Sequence, residues 1–193
     1  MRVAILMTNT DESAFAQAWP RDGDKFIALI AALRPAWEFS VFAVKDGVFP
    51  ADLVAFDGFT ITGGPAWVHD DAPWIAVLLA QIRQISALGI PMFGACFGHQ
   101  AIAMALGGNA ACPIGSFALG HTILTTQYHP EMTPEFIAAL VEHLDGTLPS
   151  PVIAKARASL DCPAETARMA KMIVDFLERA SYESLASKSI AVT

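Results

Sequence analysis

The stretch "PMFGACFGHQAIAMALGG" runs from Pro91 to Gly108 and changes its hydrophobic pattern within a few residues. Its first part is a short apolar run, typical of a buried parallel strand, and its second part is typical of a helix. Cys96 lies where the two patterns meet, with Gly94 before it and Gly98 after it. Because glycines remove the side chains that would clash in a sharp strand-to-helix turn, we predict that Cys96 stands at the apex of such a turn.

That turn would give the sulfur of Cys96 two chemical properties. The sulfur would lie at the carboxyl edge of the sheet, where open α/β sheets bind ligands. It would also lie at a helix N-terminus, whose positive dipole favours the thiolate, the nucleophilic form of cysteine. A lone buried cysteine is more often a packing residue, so a nucleophile needs further support from the sequence.

The segment "TQYHPEMT" supplies a base and a carboxylate for such a nucleophile. His129 ends an apparent strand and Glu131 follows two residues later, so in extended backbone the two side chains share one face. Glu131 can then accept a hydrogen bond from one ring nitrogen of His129, which leaves the other nitrogen for Cys96. The backbone N–H of Phe97 and one in the Gly63–Gly64 loop are the predicted donors to an oxyanion.

Strand and helix patterns alternate along the first part of the chain. Strands are predicted at Arg2 to Met7, at Trp37 to Val44 and within "FDGFTITGGP", and helices within "DGDKFIALIAALRP" and "DDAPWIAVLLAQIRQISALG". This alternation predicts an α/β fold with a mostly parallel central sheet flanked by helices. The later segment "GSFALGHTILTTQYHPE" predicts two strands joined near Gly120 as an antiparallel hairpin. Asp70 and Asp71 are expected to cap the helix that follows them.

The last third of the chain is predicted to be helical. Thr133 and Pro134 begin one helix, and two more follow, the second near residues 164–180. We predict a single domain over residues 1–180 and a serine-rich C-terminal tail over residues 181–193.

Composition narrows the functional class. The formal net charge is −7 and no basic stripe appears, so we expect neither nucleic acid nor a membrane as a partner. The longest apolar runs, residues 26–33 and 74–80, fall well short of the about 18 residues of a membrane helix. Cys96, Cys112 and Cys162 cannot all pair and show no metal-ligand spacing, so we expect free thiols, no metal, no cofactor and a cytoplasmic location.

The motifs "GACFGHQ" and "YHPE", with the glycine loop in "FDGFTITGGPAWVHDDAPWI", closely resemble the class I, triad-type glutamine amidotransferases. This family includes the glutaminase domains of GMP synthetase and anthranilate synthase. The resemblance covers most of the chain and implies a flavodoxin-like fold. It also implies attack of a thiolate on the side-chain amide of glutamine, loss of ammonia, and hydrolysis of a γ-glutamyl thioester.

The resemblance implies a role for each matching residue. These roles are Cys96 as nucleophile, His129 as general base and then acid, Glu131 as the carboxylate that orients it, Gln100 and the backbone near Phe97 as contacts of the substrate, and Gly63 or Gly64 as oxyanion donor. His99 also matches a common family residue, but we predict a structural role for it, because the base must reach the sulfur from across the pocket.

One departure from the family concerns spacing. Cys96 and His129 are 33 residues apart (129 − 96), and the family's interval is longer by several tens of residues. One explanation is a real deletion in this chain relative to the family, which would leave the pocket open on one side. The other is that a segment of the protein is missing from the numbered sequence between Cys96 and His129. We favour the second explanation because both flanks resemble intact family sequence, and it predicts a spatial break between Gly107 and Pro113.

Three functions remain open from the sequence. The first is a stand-alone glutaminase, which would pass ammonia to a separate synthetase subunit, because the chain has no nucleotide-binding motif of its own. The second is a γ-glutamyl hydrolase acting on small γ-glutamyl amides or peptides. The third is a non-catalytic binding module on the same fold.

Overall fold

The computed structural model of the chain describes residues 1–109 and 114–190, and side chains as far as residue 182. Its strands are β1 (Arg2–Met7), β2 (Glu38–Ala43), β3 (Gly58–Ile61), β4 (Met92–Ala95), β5 (Ser116–Leu119) and β6 (Ile123–Thr126). Its α-helices are α1 (Ala14–Gln17), α2 (Asp22–Ala31), α3 (Pro73–Ala87), α4 (Phe97–Ala105), α5 (Pro134–His143), α6 (Ser150–Ser159) and α7 (Thr166–Ile190). No helix in this part of the chain is both long and apolar enough to cross a membrane.

The strands form one six-stranded sheet in the order β2-β1-β3-β4-β6-β5. All neighbours are parallel except β5 and β6, which are antiparallel. The predicted α/β fold, with its mostly parallel sheet and later hairpin, is therefore confirmed. Ile61 pairs with Gly94 and Ala95 pairs with Thr126, so the carboxyl ends of β3, β4 and β6 lie side by side. The segments that follow these three strands meet at one edge of the sheet.

Helices cover both faces of this sheet. Successive side chains of a strand point to opposite faces, so β1 contributes Leu6 to one core cluster and Ile5 to the other. The first cluster contains side chains of α3 and α4, and the second contains side chains of α2 and α7. Each fully buried Leu, Ile, Phe or Met side chain stabilises such a core by about 1.5–3 kcal/mol.

The predicted helix starts were right in one case and wrong in another. The Thr133 side chain accepts a hydrogen bond from the N–H of Phe136 and caps α5 as expected. Asp70 and Asp71 do not cap α3, since that helix begins at Pro73 and its N-cap falls on Ala72. Asp70 instead accepts from the N–H of Trp67 at 2.9 Å and closes the turn before the helix.

Two other expectations concern the ends of segments. α7 continues through residue 180 to Ile190, so it crosses the predicted boundary between domain and tail, and that division stays a prediction. The expected spatial break between Gly107 and Pro113 falls mainly on residues 110–113, which lie outside the described residues.

Candidate active site

Cys96 occupies the corner between β4 and α4. It has φ +49° and ψ −107°, and it is the only non-glycine residue with positive φ in the part of the chain that the structure describes. A side chain in such a conformation costs about 1–3 kcal/mol, which the surrounding hydrogen bonds must offset. The N–H of Cys96 donates to the carbonyl of Thr126 at 2.8 Å, and the carbonyl of Cys96 accepts from the N–H of Gln100 at 3.1 Å. The predicted strand-to-helix apex is thus present and is tied to both β6 and α4.

The two glycines around Cys96 permit this corner. A Cβ on Gly94 would lie 2.7 Å from the carbonyl carbon and oxygen of Gly98. A Cβ on Gly98 would lie 2.5 Å from the carbonyl oxygen of Ile61. Both distances are shorter than real Cβ contacts, so α4 could not approach β3 and β4 as closely with any other residue at these positions.

His129 lies between Cys96 and Glu131. Its Nδ1 is 2.8 Å from Oε1 of Glu131, whose side chain is fully buried, and the same ring hydrogen-bonds Cys96. The carboxylate therefore holds one ring nitrogen while the other faces the sulfur. The structure brings together the three side chains that the sequence predicted as nucleophile, base and orienter.

The charges in this cluster support one another. Burial alone would raise the pKa of the Cys96 thiol, but the hydrogen bond and charge of His129, together with backbone N–H groups, lower it below its usual value. Burial would lower the pKa of His129, but hydrogen bonds to Cys96 and Glu131 raise it to about 10. Each partner thus stabilises the charged form of the other, which favours the thiolate–imidazolium pair over the neutral pair.

Two backbone N–H groups point at the sulfur of Cys96. They belong to Phe97, at the start of α4, and to Gly64. Gly63 leaves room for the side chains of the site, because a Cβ there would lie 2.5 Å from Cε1 of His129 and 3.2 Å from Cβ of Cys96. Of the two glycines that the sequence left open, the geometry therefore favours Gly64 as the candidate oxyanion donor.

Two threonines that sequence reasoning missed orient this loop. Oγ1 of Thr62 donates to the carbonyl of Gly63 at 3.0 Å, and Oγ1 of Thr8 approaches the same oxygen at 2.9 Å. Thr62 itself accepts from the N–H of Thr8 at 3.0 Å, and both side chains are buried. In a trans peptide the carbonyl and the N–H point in opposite directions. Holding the Gly63 carbonyl toward the threonines therefore holds the Gly64 N–H toward Cys96.

Gln127 is a second residue that sequence reasoning missed. Its Nε2 lies 3.5 Å from the sulfur of Cys96, and its Oε1 accepts from Nε2 of Gln100 at 3.3 Å. Gln100, the predicted contact of the substrate, therefore reaches the sulfur through Gln127. The available signal was strand alternation, which places Gln127 on the same face as His129.

Comparison with known proteins agrees with this geometry. The family model described as "Glutamine amidotransferase class-I" matches residues 37–114, a range that contains Cys96 and the glycine loop and ends before His129. A glutamine amidotransferase of Thermotoga maritima superposes with a TM-score of 0.65 at 14% identity, over 93% of this chain and 97% of that one. Over residues 37–114 the chain is therefore similar to the class I glutamine amidotransferases, and its fold is that of a solved glutamine amidotransferase.

Other proteins similar to this chain differ in name and length. Gamma-glutamyl peptidase 4 of Arabidopsis thaliana is 29% identical over 162 residues, which are 78% of this chain and 64% of the relative. A glutamine-hydrolysing GMP synthase of Corynebacterium jeikeium is 35% identical over 116 residues, 54% of this chain and 20% of the synthase. A glutamine amidotransferase of Methylobacillus flagellatus superposes with a TM-score of 0.59 at 19% identity, over 96% of this chain and 92% of that one. The chain thus spans less than two thirds of the curated relatives it matches.

His99 and Cys162 are two further residues whose side chains can do chemistry. His99 is buried, with Nδ1 2.8 Å from Oγ1 of Thr125 and its ring centroid 5.0 Å from that of Phe117, as expected for a structural role. Cys162 is exposed, and Cys112 lies outside the described residues. Among the described residues, no three His, Cys, Asp or Glu side chains are grouped as metal ligands.

A cavity of about 750 Å³ opens beside the candidate site. Its lining includes Gly64 and His129 of the candidate site but not Cys96, together with residues of α1, of α2, of α5 and of the segments between β1 and α2. Aromatic side chains line it, and so do both basic and acidic side chains, including Phe15, Trp19, Arg21, Asp24 and Phe136.

Proposed function

We propose that this protein is a cysteine hydrolase that cleaves the amide bond at a γ-glutamyl carbonyl. The observation that supports the proposal most is the hydrogen-bonded series from Glu131 through His129 to Cys96, with two N–H groups aimed at the sulfur. Core packing alone gives no reason to combine a strained cysteine, an imidazole and a buried carboxylate.

In this proposal each group has one task in the first half of the reaction. The Cys96 thiolate attacks the γ-carbonyl carbon, and the N–H groups of Phe97 and Gly64 stabilise the resulting oxyanion. The His129 imidazolium gives its proton to the leaving nitrogen, so the C–N bond breaks and a neutral amine departs. The glutamyl group remains as a thioester on Cys96.

The second half of the reaction regenerates the site. Neutral His129 takes a proton from water, the hydroxide attacks the thioester carbonyl, and the C–S bond breaks to release glutamate and the Cys96 thiolate. The balance is one amide and one water in, and one carboxylate and one protonated amine out, because the carboxylic acid first formed gives its proton to the amine in solution. Glu131 holds the imidazole in the required tautomer throughout.

Glutamine is the first candidate substrate. Its side-chain amide would yield ammonia, and the similarity of the chain to the class I glutamine amidotransferases supports this reaction. In this proposal a synthetase uses the ammonia, in keeping with the similarity of the chain to a glutamine-hydrolysing GMP synthase.

A larger γ-glutamyl amide or peptide is the second candidate substrate. It is favoured by the relatives named gamma-glutamyl peptidase. Both candidates use the same chemistry, since both present an amide at a γ-glutamyl carbonyl.

Substitution of the sulfur tests the proposed chemistry. We expect the wild-type protein to release ammonia from glutamine or an amine from γ-glutamyl amides, and Cys96→Ser to lower kcat/KM by about a thousandfold or more. The midpoint of urea unfolding should stay unchanged, because serine fits the same corner. Cys162→Ser, at an exposed cysteine, is the matched control and should keep full activity. Release by Cys96→Ser at the wild-type rate, or no release by the wild type, would favour the non-catalytic module.

A further inference from the structure

We propose that the cavity beside His129 is the subsite for the leaving amine of a larger γ-glutamyl substrate, and that this amine carries an aromatic ring and a carboxylate. This inference rests on the proposed function and specifies its substrate class. It is argued from the position of the cavity, its size, its aromatic wall and its charges.

The position of the cavity identifies which part of a substrate would enter it. The general acid must reach the leaving nitrogen, so that nitrogen faces His129 in the tetrahedral intermediate. The oxyanion faces the N–H groups of Phe97 and Gly64. A substituent on the nitrogen therefore points away from Cys96 past His129 and Gly64, the two residues of the site that line the cavity.

The size of the cavity exceeds what glutamine requires. The leaving group of glutamine is ammonia, which carries no substituent. The cavity holds about 750 Å³, which lies within the range of about 300–1,000 Å³ typical of sites for whole small molecules. A leaving amine the size of an amino acid or a dipeptide would fit this space.

The wall of the cavity favours a ring. Phe15, Trp19 and Phe136 form one aromatic cluster, with centroids 6.0 Å apart for Phe15 and Phe136 and 5.3 Å apart for Trp19 and Phe136. Phe136 is nearly buried, whereas Phe15 and Trp19 are partly exposed toward the cavity. Partly exposed rings beside a polar rim are the usual lining of a small-molecule pocket, where they take up apolar and aromatic groups.

The charges that line the cavity are mixed, with acidic side chains of Asp11, Glu12, Asp22 and Asp24 beside basic side chains of Arg21, Lys25 and Lys45. Lys25 is paired with Asp22 at 2.9 Å, and Lys45 is paired with Glu12 at 2.7 Å. Arg21 has no acidic partner among the described residues, and its side chain does not cap α2. A guanidinium of this kind can hold a carboxylate through two parallel hydrogen bonds.

Three substrates test the inference. They are glutamine, γ-glutamyl-phenylalanine, whose leaving amine has both ring and carboxylate, and γ-glutamyl-phenethylamide, which has the ring alone. We expect kcat/KM for γ-glutamyl-phenylalanine to exceed that for glutamine by about tenfold or more, since each lost contact of this kind costs about a factor of ten. The phenethylamide should fall between the other two.

Two substitutions should separate the contributions of the ring and the carboxylate. Trp19→Ala should lower the ratio of kcat/KM for γ-glutamyl-phenylalanine to that for glutamine by about tenfold. Arg21→Ala should lower kcat/KM for γ-glutamyl-phenylalanine by about tenfold relative to γ-glutamyl-phenethylamide. Tyr182→Ala, at an exposed ring on α7, is the control and should leave both ratios unchanged.

The outcomes distinguish this inference from the proposed function. Equal kcat/KM for glutamine and γ-glutamyl-phenylalanine, or ratios unaffected by Trp19→Ala and Arg21→Ala, would overturn the subsite while leaving the cysteine chemistry intact. As a measurement independent of turnover, γ-glutamyl-phenylalanine should protect Cys96 from alkylation at lower concentrations than glutamine does. Equal protection would also overturn the subsite, whereas loss of all turnover together with an unreactive Cys96 would refute the proposed function itself.

Discussion

Among single residues, Thr62 affects the sulfur of Cys96 only through the peptide group that joins Gly63 to Gly64. Its hydroxyl bonds the Gly63 carbonyl, and the N–H on the other side of that peptide belongs to Gly64 and points at the sulfur. We therefore treat Thr62 as a positioning residue. It should matter for the rate of the chemical step more than for the binding of substrate.

Substitution of Thr62 by valine removes this hydroxyl at almost constant volume. We expect kcat to fall about tenfold while KM changes by less than about twofold, because the lost interaction acts mainly on the oxyanion. Thr62→Ser should restore most of kcat. Steady-state kinetics on any hydrolysed γ-glutamyl amide measures both parameters.

Thr60→Val is the matched control for that experiment. Thr60 is buried in β3, two residues before Thr62, and its hydroxyl has no hydrogen-bond partner among the described residues. Valine at this position should leave kcat and the free energy of unfolding unchanged or slightly improved. A normal kcat in Thr62→Val, or a rise in KM alone, would remove the positioning role of Thr62.

The sequence predicts residues of this site when their chemistry is local. Cys96 is marked by its neighbouring glycines, and His129 and Glu131 by their spacing of two residues. The expected extended backbone there is wrong, because β6 ends at Thr126 and the N–H of Met132 bonds the carbonyl of His129 in the turn that follows. Thr8 and Gln127 could not be predicted in the same way. They reach the site through contacts between residues that are distant in the sequence, Thr8 with Thr62 and Gln127 with Gln100.

At the scale of elements, the corner between β4 and α4 depends on close backbone approach. The carbonyl oxygen of Ile61 in β3 lies where a Cβ of Gly98 would need to be. Backbone atoms in a paired strand cannot move aside as the end of a flexible side chain can. The corner therefore requires glycine at position 98, because no Cβ fits between α4 and β3 there.

Gly98→Ala should destabilise the fold by about 3 kcal/mol. The reason is the 2.5 Å approach of the new Cβ to the Ile61 carbonyl oxygen, which must displace α4 or β3. Urea unfolding measures the change. Gly23→Ala is the matched control in α2, where the nearest atom, at 2.7 Å, is the end of the part-exposed Val41 side chain. There the gain in helix propensity, about 1 kcal/mol, should offset the contact, and equal losses in both variants would contradict this account.

The start of a helix could be predicted from the sequence where a capping residue directly precedes a proline. Thr133 directly precedes Pro134, so the cap of α5 could be predicted from the sequence. In α3 the proline sets the start of the helix, and the residue before it is Ala72. The aspartates are therefore one and two positions too early to cap, and Asp70 serves the preceding turn instead.

At the scale of the whole molecule, strand order explains how a short interval can still assemble the site. β6 lies directly beside β4, and Ala95 pairs with Thr126. Cys96 is one residue past this pair and His129 is three residues past it, so both leave the sheet at the same edge. Between Cys96 and His129 the described elements are α4 and the β5–β6 hairpin, and residues 110–113 lie outside the described residues. The sequence predicted the fold but not this strand order, which depends on pairing between distant segments.

The central claim is that neighbouring strands bring Cys96 and His129 together as a thiolate beside an imidazolium. The pH dependence of Cys96 alkylation by iodoacetamide, followed by mass spectrometry of the Cys96 peptide, tests it most directly. Since the pKa of Cys96 is lowered, reactivity should persist below the ordinary thiol range and decline only as the pH falls through the lowered pKa. In His129→Ala the midpoint should move upward, because burial would then raise the pKa with no imidazolium to oppose it. A wild-type midpoint at or above the about 8.5 of a free thiol, or a midpoint unmoved by His129→Ala, would contradict the account.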